Sequence, residues 1–133
     1  MLSSSSYRAG RCVATLAVLM AVTACDNASG LRQSEGVSAG ARNQQVVVTN
    51  NSAGPIFLIV MGRVIETRTD WYPCVDEARC SPLQTGASRM YPYGTLMRDP
   101  GEKEVVVRWW HAVRDSSGVA HAGDFGSVIV PLF

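Results

Sequence analysis

The feature that most constrains the fold is the run EVVVRWWHAVR at residues 104–114. Its β-branched and aromatic residues favour a strand, and successive side chains of a strand point to opposite faces of the sheet. One face, predicted to be core, is formed by Val105, Val107, Trp109, His111 and Val113. The opposite face carries Glu104, Val106, Arg108, Trp110, Ala112 and Arg114.

Further short strands, separated by Gly, Pro and Asn turns, surround this run. We predict them at residues 45–49, 56–60, 63–67, 88–93 and 128–132, with a bulge or bend at Gly62. Pro92 and Pro131 favour sheet edges, because proline cannot donate a ladder hydrogen bond. No segment has a convincing helical apolar period. The expected fold is therefore all-β, a small antiparallel β-sandwich of immunoglobulin-like arrangement, with a small β-barrel as the alternative.

The first 24 residues have the pattern of a secretory signal peptide. Arg8 and Arg11 are the only charged residues in a short polar start, and an uncharged run follows at residues 12–22. As a helix this run would rise about 16 Å, against a hydrocarbon core of roughly 30 Å, so it is too short to span a bilayer. A mitochondrial presequence is an alternative suggested by SSSSYRAGR at residues 3–11, and an ordinary secretory peptide is another.

The end of this segment is more specific. Val22-Thr23-Ala24-Cys25 resembles the lipobox of bacterial lipoproteins, and the resemblance covers residues 1–26. In that family the cysteine thiol takes a diacylglyceryl group, cleavage follows just before it, and the new amino terminus is usually acylated, as with palmitate. The resemblance implies that Cys25 is lipidated and anchors the protein to an envelope membrane. Asp26 resembles a retention signal for the periplasmic face of the inner membrane, and the outer membrane is the other destination.

Composition divides the remaining chain into a tether and one domain. Residues 26–43 are rich in Gly, Ser, Ala and Asn, with Leu31 and Val37 as the only large apolar residues. They predict a flexible tether over residues 25–43, about 20–25 Å in span, followed by a single domain over residues 44–133. The formal net charge is +1, and loss of Arg8 and Arg11 with the signal peptide leaves −1. Near-neutral charge without a basic cluster predicts no nucleic-acid partner.

A pair of cysteines lies in WYPCVDEARCSPL at residues 71–83. An oxidising envelope favours a disulfide between Cys74 and Cys80, and closing this short loop is worth about 2.4 kcal/mol in the chain-entropy treatment. The spacing is not C-x-x-C, so a structural role is expected rather than a redox one. Nearby aromatic residues either line a pocket mouth or pack over the disulfide: Trp71, Tyr72, Tyr91 and Tyr93.

Two kinds of binding residue can be named from the sequence. Trp110, with Arg108 and Arg114 on the same face, is a candidate contact patch, since an arginine can rest on an indole. The alternatives are a loop that covers this face, or a tryptophan packed against arginine stems. A copper site is the second possibility, because thioether and imidazole groups are ligands that copper(I) prefers. The candidate copper ligands are Met61, Met90, Met97, His111 and His121.

The functional expectation is a binding protein without catalysis. His111 and His121 are the only histidines, no nucleophile signature accompanies them, and no cofactor is expected. We expect a membrane-anchored envelope lipoprotein whose β-domain binds or scaffolds a protein or glycan partner, without a bound metal. The alternative is a periplasmic copper-binding protein.

Overall fold

The computed structural model describes residues 31–133, so the predicted signal peptide and Cys25 lie outside the described residues. Within this range the chain forms strands and two short helical segments, and none of those helices has the length and apolar character to span a bilayer. In chain order the elements are β1 (Arg32–Ser34), β2 (Val37–Arg42), β3 (Gln45–Asn50), β4 (Phe57–Gly62), α1 (Arg63–Arg68), β5 (Ser88–Pro92), a 3-10 turn (Tyr93–Thr95), β6 (Glu104–Trp110), β7 (Ala112–Arg114), β8 (Ala120–Ala122) and β9 (Gly126–Pro131).

The strands form two antiparallel sheets and a separate hairpin. One sheet has the order β1-β2-β3-β5, the other β4-β6-β9, and β7 pairs only with β8. The prediction of an all-β antiparallel sandwich is confirmed, and the sheets of the described chain do not close into a barrel. The order β2-β3-β5 beside β4-β6-β9 agrees with strands A-B-E and C-F-G of an immunoglobulin-like sandwich. Both β5 and β9 are edge strands, as their prolines predicted.

The core lies between the two sheets and is built from β-branched residues and one indole. Val46 and Val48 of β3 face Val105 and Val107 of β6, and all four are fully buried. Trp109 continues the inner face of β6 and lies over Gly126 of β9. A Cβ atom at Gly126 would lie 2.1 Å from the Trp109 ring, so only glycine leaves room for the indole.

The predicted tether over residues 25–43 is wrong from Arg32 onward. Residues 32–42 form β1 and β2, and Val37, Ala39 and Ala41 are buried in the core cluster. These small side chains alternate with Ser38 and Gly40, so the stretch has the period of a strand but little apolar bulk. The composition resembles a linker because β2 contributes to the core through alanines rather than large residues.

The predicted strand at residues 63–67 is also wrong, because the chain turns into α1 after Gly62. The backbone N–H of Val64 donates to the Glu102 carboxylate, which satisfies a free donor in the first turn. Arg63 then pairs with Glu104, and Glu66 pairs with Arg108 of β6. These partners are remote in sequence, so local periodicity could not reveal the helix.

The outer face of the β4-β6-β9 sheet is covered rather than solvated. Phe57 and Met61 of β4 and Val106 and Trp110 of β6 point away from the core cluster, yet all are buried. The covering layer consists of α1 and the segment at residues 69–83, which crosses this face. Because both faces of β6 are buried, apolar side chains occur on both of them.

The predicted core face of the strand at residues 104–113 is correct only as far as Trp109. β6 ends at Trp110, and beyond it His111 and Val113 are exposed. The chain leaves the sheet to form the β7–β8 hairpin, so the alternation continues without a sheet to pack against.

Candidate binding surface

The sandwich has two unlike ends. At the proximal end, where β1 begins, Arg32 lines a groove with Glu104 and Pro131. The β2–β3 turn lies at the same end, where the Tyr93 N–H donates to the Gln44 carbonyl oxygen at 2.9 Å. The chain therefore enters the described domain beside the start of β6.

The distal end is formed by loops that meet around Asn50 and His111. The Asn51 N–H donates to the Gly36 carbonyl oxygen at 2.7 Å, joining the β1–β2 turn to the loop at residues 51–55. His111 Nδ1 lies 2.9 Å from the Pro55 carbonyl oxygen, and the Gly123 N–H donates to the His111 carbonyl oxygen at 2.8 Å. The β7–β8 hairpin is thus attached to the same end as these loops.

An aromatic cluster fixes the covering segment to this end of the sheet. Trp71 stacks on Trp110 with ring centroids 5.8 Å apart, and Phe125 packs edge-on against both rings at 5.7 and 5.6 Å. The Trp110 Nε1–H donates to the Cys74 carbonyl oxygen at 2.8 Å, so the buried indole has its polar group satisfied. The cluster joins three segments that are far apart in sequence.

The predicted contact patch of Arg108, Trp110 and Arg114 is wrong as an exposed surface. Trp110 is only 3% exposed, because Trp71 and the segment around Cys74 cover it. Arg108 pairs with Glu66 of α1, whereas Arg114 lies on the hairpin and donates to the Gly118 carbonyl oxygen at 2.8 Å. The three residues therefore do not form one surface, and the alternative of a covering loop is correct.

Other apolar side chains are exposed at the distal end. Tyr72 is 88% exposed directly after Trp71, and Phe125 is 48% exposed although one edge is packed. The hairpin adds Val113 and Val119, which are about half exposed. We call these four residues, Tyr72, Val113, Val119 and Phe125, the distal apolar surface. Sequence reasoning singled out Tyr72 but missed the rest, although the DSSG turn at residues 115–118 is a hairpin signal.

The predicted disulfide between Cys74 and Cys80 is confirmed, with the two Cα atoms 6.3 Å apart. Inside the loop it closes, the N–H groups of Arg79 and Cys80 donate to the Asp76 carbonyl oxygen at 3.0 and 2.9 Å. Beside this disulfide loop lies a cleft of about 210 Å³. It is lined by Phe57, Leu58, Ile59, Tyr72, Cys74, Cys80, Ser81, Arg89 and Trp110. Tyr91 and Tyr93, the other two candidates for a pocket mouth, pack against the core instead.

The five residues proposed for a copper site do not come together, and only Met61 and Met97 are neighbours. Met61 is buried beneath the covering layer and its backbone forms an isolated β-bridge with that of Met97, whose side chain is exposed. Met90 lies exposed on the outer face of the other sheet. His111 is hydrogen-bonded to the Pro55 carbonyl oxygen, and His121 lies on β8. In the part of the chain that the structure describes, no group of three His, Cys, Asp or Glu side chains has the geometry to hold a metal ion.

The hairpin turn contains a hydrogen-bonded His–Asp pair. His121 Nε2 lies 2.7 Å from Asp115 Oδ2, and Asp115 Oδ1 accepts the N–H groups of Ser117 and Val119 at 2.8 and 3.0 Å. The His121 side chain and these N–H groups hold the pKa of Asp115 below its ordinary value. Each contact stabilises the carboxylate, so the turn has a defined geometry although it is exposed.

Comparison of the chain with protein-family models, curated proteins and solved structures gives no significant match.

Proposed function

We propose that the chain is a bacterial envelope lipoprotein, anchored by lipid on Cys25, whose β-domain binds a protein partner without catalysis. Only residues 26–31 separate Cys25 from Arg32 of β1. A segment of six residues reaches roughly 15 Å by random-coil scaling and at most about 25 Å at full extension. Lipid on Cys25 would therefore hold the proximal end close to the membrane, with the distal end directed away from it.

The observation that carries the binding role is the distal apolar surface. Exposed aromatic residues on a fixed framework are typical of the centre of protein–protein interfaces, because they bury a large area with few rotatable bonds. The Trp71–Trp110 stack and the disulfide loop supply that framework beneath Tyr72 and Phe125. By analogy, immunoglobulin variable domains bind through loops at one end, including the one that corresponds here to residues 111–125.

Affinity capture from solubilised envelope tests this role. We would compare the wild-type lipidated protein with Tyr72→Ala, because Tyr72 is so exposed that its loss should leave the fold intact. Met90→Ala is the matched control, since Met90 is an exposed apolar residue on the opposite side of the sandwich. We expect a protein that is retained by the control and lost with Tyr72→Ala. A captured species that resists protease but is lost on glycan digestion would show that the partner is a glycan rather than a protein.

The anchor is tested by membrane fractionation and mass spectrometry. Cys25→Ala is expected to move the mature chain out of the membrane fraction and to abolish the mass of the attached lipid. Cys12→Ala is the matched control, because Cys12 lies inside the apolar run and is not preceded by the lipobox pattern. If Cys25→Ala and the control fractionate alike, the lipoprotein assignment is wrong.

A further inference from the structure

The charges of the described domain are divided between its two ends. The proximal end and the adjoining turns of α1 and residues 98–103 carry more basic than acidic side chains. The basic ones are Arg32, Arg42, Arg63, Arg68, Arg98 and Lys103, and the acidic ones are Glu66, Asp99, Glu102 and Glu104. Toward the distal end the balance reverses. Its acidic side chains are Glu35, Asp76, Glu77, Asp115 and Asp124, against Arg79 and Arg114.

The acidic groups at the proximal end are already engaged. Glu104 pairs with Arg63, and Asp99 pairs with Arg68. The Glu102 carboxylate accepts the backbone N–H groups of Val64 and of Asp99. Glu66 pairs with Arg108, so each of these carboxylates has a partner, although Glu104 also lines the groove that contains Arg32.

Three basic side chains are left facing solvent. Arg98 is folded inward, donating to the Glu102 carbonyl oxygen at 2.9 Å with its guanidinium 5.8 Å from the Tyr93 ring centroid. In contrast, Arg32, Arg42 and Lys103 are exposed and form no salt bridge with any described residue. Their positive charge is therefore available to an anionic partner.

Large apolar side chains accompany these cations. Leu31 directly precedes Arg32 and is 50% exposed beside Arg42. Phe133 is 78% exposed and lines a groove with Lys103. Basic side chains interspersed with exposed apolar ones suit the headgroup region of a membrane, where the charges meet phosphates and the apolar groups enter the acyl boundary.

We infer that the proximal end docks on an anionic phospholipid surface through Arg32, Arg42 and Lys103, with Leu31 and Phe133 entering the interface. This inference rests on the proposed lipid at Cys25, whose short linker brings the proximal end to the membrane. Each basic side chain near an anionic surface raises the ratio of docked to undocked domain about fivefold. Docking holds the domain upright, so that the distal apolar surface faces away from the bilayer.

The test places a fluorescent dye at each end of the lipidated protein in vesicles. Gly94→Cys labels the proximal end, where an added Cβ meets nothing within 4 Å, and Ser116→Cys labels the exposed hairpin turn. The vesicles contain a lipid with a nitroxide headgroup in either phosphatidylglycerol–phosphatidylcholine or phosphatidylcholine alone. We expect quenching of the dye at residue 94 in the anionic vesicles only, and little quenching at residue 116.

Charge variants make the test specific. Changing Arg32, Arg42 and Lys103 together to Gln should lower the docked-to-undocked ratio on the order of 100-fold, from about fivefold for each cation. Arg79→Gln is the control, because it removes an exposed charge from the disulfide loop and should leave quenching unchanged. Added salt should weaken quenching, since the Debye length is about 8 Å at physiological ionic strength.

Co-sedimentation with the vesicles separates this inference from the anchor. If the protein sediments but the dye at residue 94 is not quenched, the lipoprotein assignment stands and the docking is overturned. The same conclusion follows if the triple substitution leaves the quenching unchanged. Protein that lacks the lipid mass and does not sediment contradicts both. Quenching that is the same in neutral and anionic vesicles, and that increases with the number of protein copies per vesicle, would indicate contact between copies of the chain. That result also overturns the docking.

Discussion

Asn50 is the buried polar residue on which the distal end depends, and Asn50→Ala should destabilise the whole domain. Its side chain is fully buried at the end of β3. The amide Nδ2 donates to the carbonyl oxygens of Gly54 and Leu83, both at 2.9 Å. The Oδ1 atom accepts the Ser52 N–H at 2.9 Å and the Ser52 hydroxyl at 2.6 Å. One side chain thus joins the loop at residues 51–55 to the segment that follows the disulfide loop.

The magnitude follows from which partners lose a hydrogen bond. Each bond contributes about 0.5–1.5 kcal/mol net, and a buried group left unsatisfied costs more. The Leu83 carbonyl oxygen still accepts the Ile56 N–H at 3.0 Å, and the Gly54 carbonyl oxygen still accepts the Ser52 hydroxyl at 3.1 Å. These remaining bonds reduce the loss, so we expect a decrease of about 2–3 kcal/mol in the free energy of unfolding. For a domain of this size that corresponds to about 10–15 °C in Tm.

Equilibrium unfolding in urea, followed by tryptophan fluorescence, measures this change. Asn51→Ala is the control, because Asn51 is exposed and its hydrogen bond to Gly36 comes from the backbone. Asn50→Asp adds a second check, since it sets a carboxylate against two carbonyl oxygens and should be more destabilising at neutral pH than at acid pH. If Asn50→Ala lowers the stability no more than Asn51→Ala, the role of this network in holding the distal end is refuted.

Three further results are expected. Gly126→Ala should destabilise by at least about 2 kcal/mol through overpacking against Trp109, whereas Gly94→Ala, whose added Cβ has open space, should leave Tm nearly unchanged. Reducing the disulfide should lower the free energy of unfolding by about 2.4 kcal/mol, and an unchanged urea midpoint would contradict a stabilising role. Titration by NMR should show an Asp115 pKa below its ordinary value that rises in His121→Ala. Because the folded-state pKa is lowered, this stabilisation is complete above the unfolded value of about 3.9 and is lost as the pH falls through the folded value.

The local sequence pattern was sufficient to predict strand positions where a segment is rich in β-branched residues and pairs with neighbouring strands. The predicted strand at residues 45–49 is β3, and those at 88–93 and 128–132 match β5 and β9 within two residues at either end. The disulfide was also predicted, from two cysteines close in sequence and an expected oxidising envelope. In each case the physical cause lies within the segment itself.

The distal apolar surface was harder to predict from the sequence. Trp110 was predicted as an exposed contact residue, and its burial was not predictable, because the residues that cover it begin about forty positions earlier in the chain. The hairpin residues Val113 and Val119 were treated as core or left aside, since a strand pattern does not indicate whether a sheet is present to receive it. The role of Phe125 could not be predicted, because it depends on contacts with the stacked Trp71 and Trp110 rings.

The sequence by itself determined the all-β class, the position of most strands and the covalent closure of the disulfide loop, because backbone propensity, side-chain alternation and thiol spacing are local properties. Tertiary structure alone decided that the linker-like residues 32–42 enter the core, that residues 63–68 are helical and that β6 is buried on both faces. These outcomes depend on surfaces supplied by remote segments: the facing sheet for Ala39, the Glu102 carboxylate for α1, and Trp71 for Trp110. Burial is a property of two surfaces in contact, and a sequence pattern describes only one of them.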